Sequence, residues 1–150
     1  MGSTCAAGIC NFVTNGDFET GDFTGWTLSD CGPGGTLAAF NSAQHGSYSA
    51  DTFCGFSSGP ATLQQTITGL TVGHTYTMNA YYNGYGFGGS PDGVVFYVNG
   101  MQIASRLNQG SADGWFLVTG SFTASATSAV FSFSFGSDNF ACGVDNIVIM

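Results

Sequence analysis

The carboxylate of Glu19 needs a partner that the sequence around it does not supply. Glu19 follows Phe18, a residue type that is normally buried, in a turn-rich stretch (residues 15–26) that ends at Trp26. A carboxylate held beside a core is costly unless it is paired or coordinates a metal, and Arg106 is the single basic side chain among 150 residues. Calcium binds carboxylate and backbone oxygens. We therefore predict a bound calcium ion at Glu19.

Three motifs resemble, in order and spacing, those of the jelly-roll carbohydrate-binding modules of bacterial secreted and surface proteins. They are Asn-Gly-Asp-Phe-Glu at 15–19 with Gly-Trp at 25–26, Gly-His-Thr-Tyr-Thr at 73–77, and Val-Asp-Asn-Ile-Val at 144–148. The resemblance covers residues 12–149 and implies a β-sandwich with a structural calcium. It implies as ligands the side chains of Glu19 and Asp145 and the backbone carbonyl of Asp17. Asn146 stands where the family often has a second acidic residue.

The composition excludes several classes of partner. The formal net charge is −8 at pH 7, and charged residues make up 7% of the chain. Nucleic acid and anionic lipid are bound through Lys and Arg, so neither is expected as a ligand. No apolar run is long enough to span a membrane. The 24 Gly and 15% aromatic residues suit a single β-rich extracellular domain better than a cytosolic enzyme.

Alternating apolar and polar residues predict strands throughout. Tyr76, Met78, Ala80 and Tyr82 share one face of a strand, and Asn99-Gly100 between two apolar runs predicts a tight hairpin. The predicted strands are 12–14, 26–28, 36–40, 48–53, 61–67, 75–82, 94–98, 101–104, 115–122, 129–135 and 144–149. We expect an all-β fold, a two-sheet antiparallel jelly-roll β-sandwich over residues 12–150, preceded by a Cys-bearing arm over residues 1–11.

The five cysteines predict disulfides in an oxidising compartment, and hence an extracellular or cell-surface protein. Cys31 and Cys54 lie in loops that flank one strand pair, so we expect them to pair. Cys5 and Cys10 either close a small ring or link subunits. Cys142 is the candidate for a thiol left over from this odd count or for a bond to another molecule.

Motifs typical of catalysis lack their structural context. Residues 55–59 match G-x-S-x-G and residues 84–89 match G-x-G-x-x-G, but neither match precedes a predicted helix. Glu19 is the only Glu, and nothing in the sequence brings two Asp together for glycoside hydrolysis. His45 and His74 each occupy a turn before a strand and have no identifiable proton-transfer partner. We expect the protein not to be an enzyme.

Aromatic side chains on an outer sheet face could stack on sugar rings, while polar neighbours bond the hydroxyls. Tyr81 and Tyr97 have the opposite parity to the core residues of their strands, whereas Trp26 and Trp115 are assigned to the core. The predicted ligand-binding residues are Asn79, Tyr81, Tyr85, Phe87, Tyr97 and Gln102. Equally, an outer-face Tyr can simply be a good strand residue.

The preferred interpretation is a non-catalytic module that binds a carbohydrate or polysaccharide and is stabilised by calcium. The alternative is a self-assembling structural subunit of an extracellular or surface filament. The odd cysteine count and the Cys-bearing arm favour that alternative, with self-association through Cys5, Cys10 or Cys142.

Overall fold

The computed structural model describes residues 4–6, 9–29, 36–40, 44–53, 61–84, 93–107, 114–135 and 142–150. Within these ranges the chain forms twelve β-strands and no helix. In chain order they are β1 Thr4–Ala6, β2 Ile9–Asn11, β3 Thr27–Ser29, β4 Thr36–Phe40, β5 Ser49–Phe53, β6 Thr62–Thr68, β7 Thr75–Gly84, β8 Gly93–Val98, β9 Met101–Leu107, β10 Phe116–Thr123, β11 Ser128–Phe135 and β12 Cys142–Ile149.

Ten of these strands form two antiparallel sheets of five. Sheet 1 has the order β10-β7-β12-β5-β4, and sheet 2 has the order β3-β6-β11-β8-β9. The remaining pair, β1 and β2, forms a small antiparallel hairpin. The prediction of an all-β, two-sheet antiparallel sandwich is confirmed.

The core lies between the two sheets and follows the predicted alternation. On β7, Tyr76, Met78, Ala80 and Tyr82 are buried, while the residues between them are exposed or half-buried. On β11 the buried residues are Phe131, Phe133 and Phe135 together with Ala129. Because side chains alternate across a pleated strand, each sheet therefore also presents an outer face.

The β8–β9 hairpin has the predicted turn. Asn99 and Gly100 both have positive φ, 49° and 77°, as a primed turn with the right-handed twist of a hairpin requires. Asn99 also accepts a hydrogen bond at Oδ1 from the backbone N–H of Val130, which ties the turn to β11.

The strand predicted at residues 12–14 is wrong. The strand lies earlier, at β2, and the following backbone groups have other partners: Val13 N–H donates to Asn11 Oδ1 and Thr14 N–H donates to Gln65 Oε1. The Asn11 side chain makes two hydrogen bonds to the backbone of β12. Its Nδ2 donates to the Ile147 carbonyl, and its Oδ1 accepts from the Ile149 N–H. Side-chain bonding thus replaces a regular ladder here.

The stretch at residues 15–26 contains no strand, and its aromatic residues anchor it to the core as predicted. Phe18 is fully buried although its φ is +54°, and its ring stacks on Trp26 with 5.8 Å between centroids. The Trp26 ring reaches Phe133 at 5.4 Å, and its Nε1 donates to the Asn15 carbonyl at 3.0 Å. Because Phe18 is fixed by this packing, Glu19, which follows it in the chain, is held at the edge of the sandwich.

Across the described part of the chain, no helix is long and apolar enough to cross a membrane.

Candidate functional site

The predicted ligand-binding residues divide between the two sheets. Asn79 and Tyr81 lie on the outer face of sheet 1, on β7. Tyr97 and Gln102 lie opposite each other on β8 and β9, on the outer face of sheet 2. These two outer faces are on opposite sides of the sandwich, so the four residues do not form one site. Tyr85 and Phe87 lie outside the described residues.

The outer face of sheet 1 is called here the sheet 1 face. A cluster of side chains on it is centred on Gly143. Gly143 pairs with Asn83 of β7 and Asp51 of β5, and it lies between two core residues of β12. A Cβ added to Gly143 would lie 2.6 Å from Asp51 Oδ1 and 3.1 Å from Trp115 Cη2. The missing side chain therefore lets an indole ring and a carboxylate meet over the sheet.

Trp115 is half-buried and lies on the outer side of sheet 1, so its assignment to the core is wrong. Phe116 pairs with the buried Tyr82, which turns Phe116 inward and its neighbour Trp115 outward. The apolar residues at even positions of this strand, Phe116, Val118 and Phe122, already indicate that Trp115 points outward. The assignment of Trp115 to the core rested instead on the usual burial of Trp residues.

Asp51 is the acidic group of this cluster. It is 6% exposed, and its Oδ1 accepts a hydrogen bond from Ser49 Oγ at 2.8 Å. Loss of solvation raises the pKa of Asp51 to about 6, the Ser49 hydroxyl opposes that rise, and the charge of Asp145 adds to it. A carboxyl group in this state can either accept or donate a hydrogen bond near neutral pH.

Other side chains extend the sheet 1 face along β7 and β10. Tyr81 is half-buried and pairs with Leu117, which is 55% exposed. Asn79 accepts a hydrogen bond at Oδ1 from Thr119 Oγ1 at 2.8 Å. Asn83, next to Gly143, is 3% exposed. An aromatic and amide-bearing surface therefore adjoins the Trp115–Asp51 cluster.

The predicted metal ligands Glu19 and Asp145 both bond the backbone of one segment, residues 44–48. Glu19 Oε1 accepts N–H bonds from Ser47 at 2.7 Å and Tyr48 at 2.8 Å. Asp145 Oδ2 accepts N–H bonds from Gln44 at 2.9 Å and His45 at 3.1 Å. The structure thus brings the two predicted carboxylates to the same short segment.

Asp145 sits at an irregularity in β12, where the pairing with β7 shifts between Asp145 and Val148 and Asn146 adopts a φ of 51°. Its side chain is fully buried, and the Asn146 N–H also donates to its Oδ1 at 2.7 Å. Loss of solvation raises the pKa of Asp145 to about 6; the backbone donors oppose the rise, and the charge of Glu19 adds to it.

The oxygens around this segment suit calcium in part. Glu19 Oε1 and Asp145 Oδ2 are each occupied by two N–H donors, so within the described part of the chain Glu19 Oε2 and one lone pair of Asp145 Oδ1 are left for a cation. Gln44 Oε1 is buried and has no hydrogen-bond partner among the described residues, and amide oxygens of that kind are calcium ligands. The described residues contain no cluster of three or more His, Cys, Asp or Glu side chains. The Asp17 side chain is exposed, and its Oδ1 accepts the Glu19 N–H at 3.4 Å.

The cysteines have different environments. Cys5 and Cys10 are register partners across the β1–β2 hairpin. Cys142 is 3% exposed and its sulfur accepts a hydrogen bond from Tyr82 Oη at 3.3 Å, which argues against a bond from Cys142 to another molecule. Cys31 and Cys54 lie outside the described residues.

A groove of about 390 Å³ opens between β9 and β10, at the side of the sandwich. Its wall is largely apolar and includes Val98, Ile103 and Phe122, and Gln102 also lines it. None of its lining residues is charged. It is separate from the Trp115–Asp51 cluster.

No known family model matches the sequence. A stretch of Halomucin from Haloquadratum walsbyi (strain DSM 16790 / HBSQ001) is 32% identical in an alignment 146 residues long, and this alignment covers 83% of this chain and 2% of that protein. The chain therefore spans about 2% of the length of the curated relative it matches.

Solved carbohydrate-binding modules have the same fold. A CBM61 module in complex with β-1,4-galactotriose superposes with a TM-score of 0.70 at 18% identity, covering 93% of this chain and 97% of that one. A family 16 carbohydrate-binding module superposes with a TM-score of 0.66 at 21% identity, covering 93% and 99%. The chain therefore has the jelly-roll β-sandwich fold of these modules, as its three motifs predicted.

Proposed function

We propose that this chain is a non-catalytic carbohydrate-binding module and that its ligand lies on the sheet 1 face. The observation that carries the proposal is the meeting of Trp115 and Asp51 over Gly143. A half-buried indole gives a sugar ring an apolar surface to stack on, and a carboxyl group beside it can bond the hydroxyls of that same ring.

Tyr81 and Asn79 extend this surface along β7, so the protein would contact more than one sugar unit of the ligand. Stacking contacts contribute about 0.5–1.5 kcal/mol each. Two aromatic platforms with a few hydroxyl hydrogen bonds correspond to dissociation constants between roughly micromolar and millimolar. With a net charge of −8, the chain favours a neutral glycan over an acidic one.

The carboxylates support binding rather than hydrolysis. Glycoside hydrolysis uses a pair of carboxyl groups that flank the scissile bond. On the sheet 1 face Asp51 is accompanied by Asp145, but Asp145 is fully buried and three backbone N–H groups occupy its oxygens. Among the described residues Asp51 therefore lacks a second carboxylate that could face a sugar.

The module would hold a structural calcium ion beside residues 44–48. Glu19 Oε2, Asp145 Oδ1 and the buried Gln44 Oε1 are the side-chain oxygens that would coordinate it, with the Asp17 carbonyl as a backbone ligand. Calcium would compensate the two carboxylates, for which the sequence offers no nearby Lys or Arg. Its contribution would be to the stability of the folded state, since a ligand that binds only that state stabilises it.

The protein would act outside the cell or at its surface. The direct cross-strand placement of Cys5 and Cys10 supports a disulfide between them, and disulfides persist in oxidising compartments. This pairing closes a ring inside the hairpin rather than linking two chains, and so favours the binding module over the filament subunit.

Isothermal titration with β-1,4-galactotriose, xylan oligomers and mannan oligomers tests the proposal. The first ligand is chosen because a neighbour of the same fold was solved with it. Trp115→Ala should weaken the binding of whichever glycan the wild type takes by at least tenfold. Val72→Ala, which removes a side chain 60% exposed in the β6–β7 turn, should leave it unchanged. Equal affinities of wild type and Trp115→Ala would contradict the sheet 1 face as the site.

A further inference from the structure

The outer face of sheet 2, called here the sheet 2 face, carries no charged side chain among the described residues. Arg106 is the only charged residue in the five strands β3, β6, β8, β9 and β11. It pairs with the buried Val94, and its guanidinium lies 4.0 Å from the centroid of the Phe116 ring of sheet 1. Arg106 therefore points between the sheets and not onto the sheet 2 face.

This absence follows the composition of the whole chain, in which 7% of the residues are charged, compared with about 25% in typical soluble domains. The residues of the sheet 2 face are mostly Ser, Thr and Gln. Thr62 and Ser134, which lie side by side on it, share a hydrogen bond of 2.6 Å between their hydroxyls. A hydroxyl group can donate and accept hydrogen bonds, so the sheet 2 face offers both donors and acceptors. It does so without charged groups, which are strongly hydrated.

One row across the sheet 2 face combines these groups with an aromatic ring. Gln64 pairs with Ser132, Ser132 pairs with Tyr97, and Tyr97 pairs with Gln102. Paired side chains on one face of adjacent strands lie about 4.5–5.5 Å apart. The row therefore places Tyr97, which is half-buried, between amide side chains that are exposed.

We propose that this row is a second, independent binding site for a neutral polysaccharide, on the side of the sandwich opposite Trp115. The inference rests on the proposed function, and extends it from one ligand-binding face to two. Tyr97 would stack on a sugar ring while Gln64 and Gln102 bond hydroxyls of the neighbouring units. Because the row crosses four neighbouring strands, it suits the interior of a long chain rather than a chain end.

A second copy of this chain is a poorer occupant. Five strands about 4.8 Å apart and three to eight residues long present roughly 400 Å² in projection, about half of the ~800 Å² that each partner buries in a standard interface. Ser is also depleted at such interfaces. A glycan chain needs less area, and its hydroxyls match the hydrogen-bonding groups of the row.

The test is affinity electrophoresis in gels containing galactan, xylan or mannan, with wild type, Trp115→Ala, Tyr97→Ala and the double variant. Trp115→Ala should remain retarded by a polysaccharide, and adding Tyr97→Ala should abolish that residual retardation. Gln102→Ala, which changes only an exposed edge-strand residue, should weaken it severalfold without altering the fold. Val72→Ala serves as the control.

The outcomes separate the two proposals. Loss of all binding in Trp115→Ala, with Tyr97→Ala like wild type, would overturn the sheet 2 site and leave the sheet 1 site standing. Binding that depends on Tyr97 and not on Trp115 would support the sheet 2 site and overturn the sheet 1 site. Wild type unretarded in every gel would overturn both. Dimerisation in sedimentation experiments that Tyr97→Ala removes would assign the face to a second copy instead.

Discussion

Gly46 lies directly against the carboxylate of Glu19. A Cβ on Gly46 would come within 2.5 Å of Glu19 Oε1 and 2.8 Å of Oε2, and the Gly46 backbone has a φ of +85°. Any larger residue at this position would have to displace the carboxylate that accepts the Ser47 and Tyr48 N–H groups, and it would have to adopt a φ that favours glycine. The first motif of the chain and a distant turn are fitted to each other.

Gly46→Ala should destabilise the protein by about 2–4 kcal/mol, because a left-handed backbone strain adds to the displacement of Glu19 by the new Cβ. The matched control is Gly73→Ala, since Gly73 has a φ of +82° but nothing within 4 Å of its Cβ position. Denaturant unfolding of both variants isolates the contact with Glu19. Equal losses of stability would show that the contact contributes nothing.

Calcium should raise the melting temperature of the wild type, and a chelator should lower it. A ligand that binds only the folded state stabilises it by roughly 2.7 kcal/mol at a hundredfold excess over its Kd. Glu19→Gln should melt like the chelated wild type and respond little to calcium. If neither calcium nor a chelator changed the melting temperature of the wild type, the metal site would be ruled out.

Stability should depend on pH through Asp51, together with Asp145, whose pKa is also raised to about 6. The pKa of Asp51 is raised from 3.8 to about 6 in the folded protein, so the folded state keeps a proton that the unfolded chain has already lost. The stability linked to that proton is fully present below about pH 4 and is lost as the pH rises through 6. Asp51→Asn should flatten the fall in the free energy of unfolding between pH 4 and 6.

The control for that titration is Asp22→Asn. The Thr24 and Thr20 hydrogen bonds lower the pKa of Asp22, so its contribution has the opposite sign and is lost at more acidic pH. Urea unfolding at a series of pH values measures both variants. If Asp51→Asn kept the wild-type slope between pH 4 and 6, the burial of a protonatable Asp51 would be wrong.

Asn11→Ala should loosen the N-terminal segment from β12. Its side chain makes three hydrogen bonds, with Val13, Ile147 and Ile149, and their loss should cost about 2–4 kcal/mol. Hydrogen exchange should show faster exchange of the Ile149 amide. Thr75→Ala, which removes one exposed hydroxyl bond to Thr123, should change stability by less than about 0.5 kcal/mol. Unchanged protection of Ile149 would contradict the role of Asn11.

Non-reducing peptide mapping should yield a peptide in which Cys5 is joined to Cys10. The two are cross-strand partners, and the ring they would close lies within one hairpin. Alkylation before and after unfolding should show that Cys142 reacts only once the core opens, because it is 3% exposed. A peptide that joins Cys142 to Cys5 or Cys10, together with oligomers that reductant dissolves, would instead support the filament subunit.

The alternation of residues in β7, β8 and β11 was sufficient to predict strands, buried faces and the Asn99–Gly100 turn, because strand pleating and turn geometry depend on neighbours in the chain. The same parity placed Tyr81 and Tyr97 on outer faces. The three motifs also placed Glu19 and Asp145 together, although 126 residues separate them, but only through the resemblance to a known fold.

Tertiary structure alone decided which strands share a sheet. β7 pairs with β10 and β12, whereas β8 pairs with β9 and β11, so Tyr81 and Tyr97 face opposite ways although both point outward. Pairing between distant strands likewise brought Asp51 and Trp115 to Gly143, and the 44–48 backbone to the two carboxylates. The local alternation of residues predicts which side of its strand a residue occupies. Its neighbours on that side are determined by long-range strand pairing, which no local pattern encodes.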